Sequence, residues 1–186
     1  MHAVQTPVRP APLRGAANVV TSARAVLAVG VAALVALSSV VSVPVAAVVL
    51  TATVALVLDC VDGQVARRTG SVTAFGARFD MEVDAFLILV LSVPVAAAYG
   101  WWVLLIGLAR YLLLGAEQLW PWLHRPVPPR YWRKVVAAVQ GVVLTVAVSG
   151  AVDATVTALA LVVALVLLAE SFGRDVVWLS RRGARS

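Results

Sequence analysis

Four aspartates fall within twenty-six positions of a chain that has nine acidic residues: Asp59, Asp62, Asp80 and Asp84. On helices, residues three or four apart share a face, so Asp59 pairs with Asp62 and Asp80 with Asp84. A short connection between two such helices would bring both pairs to one depth and make a four-carboxylate cluster. Carboxylates at close range repel one another, and divalent cations relieve that repulsion. Oxygen-only sites suit Mg²⁺, Mn²⁺ or Ca²⁺ rather than zinc. Cys60 is the only cysteine, which excludes an intrachain disulfide and a thiolate zinc site. Within an apolar helix it is expected as a small core residue. Charge and spacing leave two other readings open. The acids can snorkel to the interface and pair with Arg67, Arg68 and Arg78, or they can line a proton or cation path in a transporter.

The elements that position these residues follow from composition. The chain is 62% hydrophobic and 13% charged, where a soluble domain carries about 45–50% and about 25%. That much apolar surface calls for a bilayer. The sequence predicts an all-α polytopic membrane protein with six transmembrane helices, near 20–41, 45–65, 77–98, 101–119, 135–148 and 154–168 or beyond, each bounded to within a few residues. Helices are the spanning element because backbone groups in lipid must be satisfied within the segment, and no barrel-like alternation is present. The fifth segment is the shortest, below the roughly 20 residues that a crossing needs.

Basic residues mark one side. Arg9, Arg14 and Arg24 precede or open the first span, and Arg67, Arg68 and Arg78 lie between the second and third. Arg125, Arg130, Arg133 and Lys134 lie between the fourth and fifth, and Arg174, Arg181, Arg182 and Arg185 follow the sixth. The opposite connections carry no Lys or Arg, and only Arg110 falls well within a predicted span. The positive-inside rule then places both termini, and the aspartate cluster, on the cytoplasmic side of the plasma (inner) membrane. The same distribution accounts for the net charge of +6 without a nucleic-acid partner. Residues 1–19 read as a Pro-rich cytoplasmic arm with a short interfacial helix, residues 20–178 as one six-helix domain, and 179–186 as a basic tail. The arm is no signal peptide, because the apolar stretch after it is long enough to span and lacks a clear cleavage site. Residues 120–134 read as an interfacial loop of aromatic and basic anchors.

From Asp59 the chain reads DCVDGQVARRTGSVTAFGARFDMEVD, ending at Asp84. Asp59, Asp62, Gly63, Ala66, Arg67, Gly76, Asp80 and Asp84 stand at the spacings of the signature of the CDP-alcohol phosphatidyltransferases, which the sequence resembles in their bacterial phospholipid-synthesis form. Asn18, Thr21 and Arg24 are similar to the pattern that opens the first helix in many members. The resemblance implies a metal-dependent transferase that moves a phosphatidyl or related group from a CDP-alcohol such as CDP-diacylglycerol onto an alcohol, with release of CMP. It implies that Asp59, Asp62, Asp80 and Asp84 hold two divalent ions, Mg²⁺ or Mn²⁺, on the donor's diphosphate, and that Asp84 also deprotonates the acceptor hydroxyl. Gly63, Ala66 and Gly76 would clear space for the nucleotide, while Arg67 and Thr73 would contact donor phosphates. Helix packing is the alternative role of the two glycines. A homodimer among membrane lipids is implied as well.

The acceptor is less legible. Arg110 is costly in a span unless paired, for instance with Glu117, or facing a polar cavity. With Arg133, Lys134 and Arg174 it forms a candidate site for an anionic acceptor such as a polyol phosphate. Snorkelling, and a local pair of Glu170 with Arg174, accounts equally well for the last three. The Met81-Glu82-Val83-Asp84-Ala85-Phe86 run departs from the endings of both the glycerol-phosphate and the inositol-phosphate enzymes, so neither subfamily is assigned. An intramembrane prenyltransferase also uses aspartates and Mg²⁺, but its motifs are two and well separated. A small cation transporter would spread its acids through several helices at mid-depth.

Overall fold

The computed structural model describes residues 16–69, 74–120 and 131–183, and among them the chain forms helices and no strand. In order these are α1 (Ala16–Leu37), α2 (Val45–Thr69), α3 (Ala74–Tyr99), α4 (Leu104–Leu119), α5 (Tyr131–Ser149) and α6 (Ala154–Gly183), with a 3-10 turn at Trp101–Val103 leading into α4. The six expected segments are all present. Four are long and apolar enough to cross a membrane: Arg78–Tyr99, Trp101–Leu119, Trp132–Ser149 and Ala154–Trp178. The apolar stretches of the first two, Ser22–Leu37 and Val45–Val61, are shorter. The interfacial helix expected before the first span lies outside the described residues.

Several boundaries differ from expectation by about four residues or more: α1 runs Ala16–Leu37 rather than 20–41, taking in the end of the expected arm, and α2 continues to Thr69. Helix α5 starts at Tyr131, so Tyr131, Trp132, Arg133 and Lys134 belong to it rather than to the preceding loop. Their long amphipathic side chains reach the interface from a helical backbone as readily as from a loop. Helix α6 continues to Gly183, into the segment expected as a tail. At the opposite end Gly150 takes φ 62° just after α5, the left-handed position that closes helices and favours glycine.

Helix α3 packs against α1, α4 and α5, while α2 packs on α1 and α5, and α5 on α6. The core stripes keep helical spacing: Ala28 and Val31 on α1, Val48, Ala52 and Ala55 on α2, and Val83, Leu87, Leu91 and Val95 on α3, all buried. Small residues on α1 and α2 let the backbones approach, as membrane helices require. Large apolar residues such as Val26, Leu50, Leu159 and Val163 point outward and are exposed, the face that lipid would cover. Across α5 and α6 the buried Gln140 Nε2 donates to the Ala164 carbonyl at 2.8 Å.

Helices α3 and α4 approach closely at Gly107 of α4. A Cβ there would sit 2.7 Å from the Leu89 Cα and 2.4 Å from the Ser92 Oγ. Because one neighbour is backbone, α3 and α4 would have to separate. Gly107→Ala is therefore expected to destabilise the protein by about 1–3 kcal/mol through overpacking, against a gain of about 1 kcal/mol in helix propensity. A lower melting temperature in detergent checks this, and a higher one would mean that α4 moves away without cost.

Candidate active site

The core stripes of α1, α2 and α3 do not end in apolar residues. One turn before Ala28 the α1 stripe reaches Arg24, and one turn after Ala55 the α2 stripe reaches Asp59. One turn before Leu87 the α3 stripe reaches Asp84, and one turn further back Asp80. Successive helices run in opposite directions, so these positions meet at one end of the bundle. The packed interior becomes ionic there.

Arg24 joins the cluster. Its side chain is only 2% exposed, and its Nη1 lies 2.9 Å from Asp59 Oδ1. The same nitrogen pairs with Asp80 Oδ1, and Nη2 pairs with Asp84 Oδ1. The three carboxylates are more open, at 35%, 33% and 28%. Each offers a ligand oxygen, and these oxygens lie within 4.8 Å of one another. An oxygen-only set at that spacing fits a hard divalent ion. Among the described residues the cluster already pairs with one cationic group, the Arg24 guanidinium.

Asp59, Asp80 and Asp84 are thus brought together as the spacing predicts. The side chains of Asp62, Gly63, Ala66 and Arg67, and the whole of Thr73, lie outside the described residues. Gly76 lies in the first turn of α3 and is half-buried. Arg110 Nη2 donates to Glu82 Oε1 at 2.8 Å, which gives the charge in α4 a partner on α3. At the start of α5, Arg133 is half-buried and Lys134 exposed. Arg174 pairs with Glu170 one turn earlier, as its spacing suggests, and Glu170 also accepts from Trp132 Nε1 at 3.0 Å. Helix direction puts Arg133, Lys134 and Arg174 at the aspartate end of the bundle.

Two sequence readings change. Arg24 counted as a topology marker and as part of the first-helix pattern, and Arg110 as the only base well inside a span, yet Arg24 lies about two turns into α1 and is the more deeply buried. Its spacing to Ala28 and Val31, on the apolar face, was the signal. Cys60, expected in the core, is exposed and in no disulfide. One residue beyond Asp59 is a rotation of about 100°, which turns the thiol away from the core stripe.

The family model for CDP-alcohol phosphatidyltransferase matches residues 14–168, from α1 into α6 and across every residue of the aspartate frame. No curated protein and no solved structure matches the chain. A helical chain with apolar spans and an acidic triad that could hold a metal ion is consistent with that match. The chain therefore belongs to the CDP-alcohol phosphatidyltransferase family, metal-dependent membrane enzymes that transfer a phospho-alcohol group from a CDP-alcohol.

Proposed function

We propose that the enzyme transfers the phosphatidyl group of a CDP-diacylglycerol-type lipid to the hydroxyl of a polyol phosphate and releases CMP, a step in phospholipid synthesis. The observation that carries this reading is the convergence of Asp59, Asp80 and Asp84 at one end of an apolar bundle, within the family's aspartate frame. A lipid donor reaches such a site from the bilayer, and a polar acceptor reaches it from water.

Each residue then has a task. Asp59, Asp62, Asp80 and Asp84 would hold two divalent ions, Mg²⁺ or Mn²⁺, whose positive charge would offset the charge on the diphosphate and the departing CMP. Asp84 takes the proton from the acceptor hydroxyl as its oxygen bonds to the phosphorus carrying the lipid and the bond to CMP breaks. A carboxylate is a weak base for an alcohol, and placing it against the reacting hydroxyl offsets this in part. Arg67 and Thr73 bind donor phosphates, and Gly63, Ala66 and Gly76 leave room for the nucleotide. Arg110, Arg133, Lys134 and Arg174 supply positive charge for the acceptor's phosphate, with Glu82 holding Arg110 until the acceptor arrives. The active unit is a homodimer.

Purified protein incubated with CDP-diacylglycerol and a panel of alcohols is expected to release CMP rapidly with one polyol phosphate and slowly with uncharged alcohols. Equal rates with both would remove the basic residues from acceptor recognition, and no release with any acceptor would refute the donor.

The aspartate end faces the cytoplasm in this reading, as the one-sided distribution of Lys and Arg requires. In a Cys60→Ala background, Ser42→Cys and Ala151→Cys are expected to react with an impermeant thiol reagent applied outside intact cells. Ser180→Cys should react only after the membrane is opened. The reverse pattern would invert the orientation.

A further inference from the structure

We propose that Arg24 is a positioning residue of the metal centre: from the buried side it holds one oxygen of each of Asp59, Asp80 and Asp84 and leaves the remaining oxygens to the cations. The inference rests on the reading of these aspartates as metal ligands.

Exposure carries the argument. Arg24 is 2% exposed, whereas the three carboxylates it touches are 28–35% exposed. The guanidinium therefore lies behind the carboxylates, toward the α1–α2–α3 core, and the open side of the cluster belongs to the acids. All three contacts use Oδ1. A carboxylate has two oxygens and about four lone-pair sites, so each aspartate can accept from Arg24 and still present oxygen to an ion.

The geometry differs from a simple ion pair. Two terminal nitrogens serve three carboxylates on two other helices, and the buried Nε has no hydrogen-bond partner. The guanidinium is placed for the aspartates at the expense of its own donors. Among the described residues one guanidinium faces three carboxylates, so the cluster is only partly compensated by it and can still take up a cation. Ligating carboxylates are themselves oriented by outer hydrogen bonds, and loss of such a partner typically weakens metal binding about 10–100-fold.

The test is Mn²⁺ titration of the purified full-length protein in detergent, with free Mn²⁺ followed by its electron paramagnetic resonance signal. Arg24→Gln is expected to bind Mn²⁺ about 10–100-fold more weakly. Arg24→Lys should fall between it and wild type, because an ammonium is a point charge without the planar fork; it carries the comparison if the glutamine variant does not fold. Melting in chelator and in saturating Mn²⁺ separates positioning from mere structure. Arg24→Gln should lose more stability in chelator, where nothing else compensates the carboxylates. Equal loss in both conditions with unchanged affinity would make Arg24 a structural ion pair and overturn the proposal. Tighter Mn²⁺ binding would overturn it too, since the guanidinium would then be competing with the ion. Wild-type protein that binds no Mn²⁺ would bring down the metal reading itself, and the role of Arg24 with it.

Discussion

Asp84→Asn is expected to lower CMP release by about a hundred- to ten-thousand-fold, the span over which a positioned general base acts. Asparagine has nearly the shape of aspartate, so packing one turn from Leu87 is kept, but its amide cannot take the acceptor's proton. Donor binding should remain measurable, because Asp59 and Asp80 still stand together and the variant loses only one of the proposed ligands. The pair of measurements is single-turnover CMP release and equilibrium binding of a non-reacting CDP-lipid analogue. Wild-type turnover in the variant would remove Asp84 from proton transfer. Loss of donor binding together with turnover would make it a ligand alone.

Excess chelator is expected to reduce turnover about a thousandfold. Metal stabilisation of transition-state charge is worth several kcal/mol, and each 1.4 kcal/mol is about a factor of ten. Mg²⁺ or Mn²⁺ should restore the rate. Helical circular dichroism should stay unchanged throughout, because Arg24 keeps the three carboxylates partly compensated when the ions leave. Full activity in chelator would sink the metal mechanism. Irreversible loss with unfolding would mean that the ions hold the bundle together as well as serve the reaction.

The sequence by itself determined the solvent, the element type and the acidic centre. A chain that is 62% hydrophobic must meet lipid, and in lipid the backbone closes its hydrogen bonds within helices. Spacings of three and four residues put each aspartate pair on one helix face, whatever else the chain does. The frame from Asp59 to Asp84 marked the family before any packing was known.

Which faces meet was decided only by the tertiary structure. Arg24 stands 56 residues from Asp80 and 60 from Asp84, and no local period links positions that far apart. The sequence read it as a positive-inside charge and as part of the first-helix pattern, and only packing of α1 against α2 and α3 set its face against the aspartates. Arg110 likewise found Glu82, 28 residues earlier, because α3 and α4 close on each other at Gly107. Local spacing sets the direction of a side chain around its own helix. Its partner depends on how every other helix in the bundle packs.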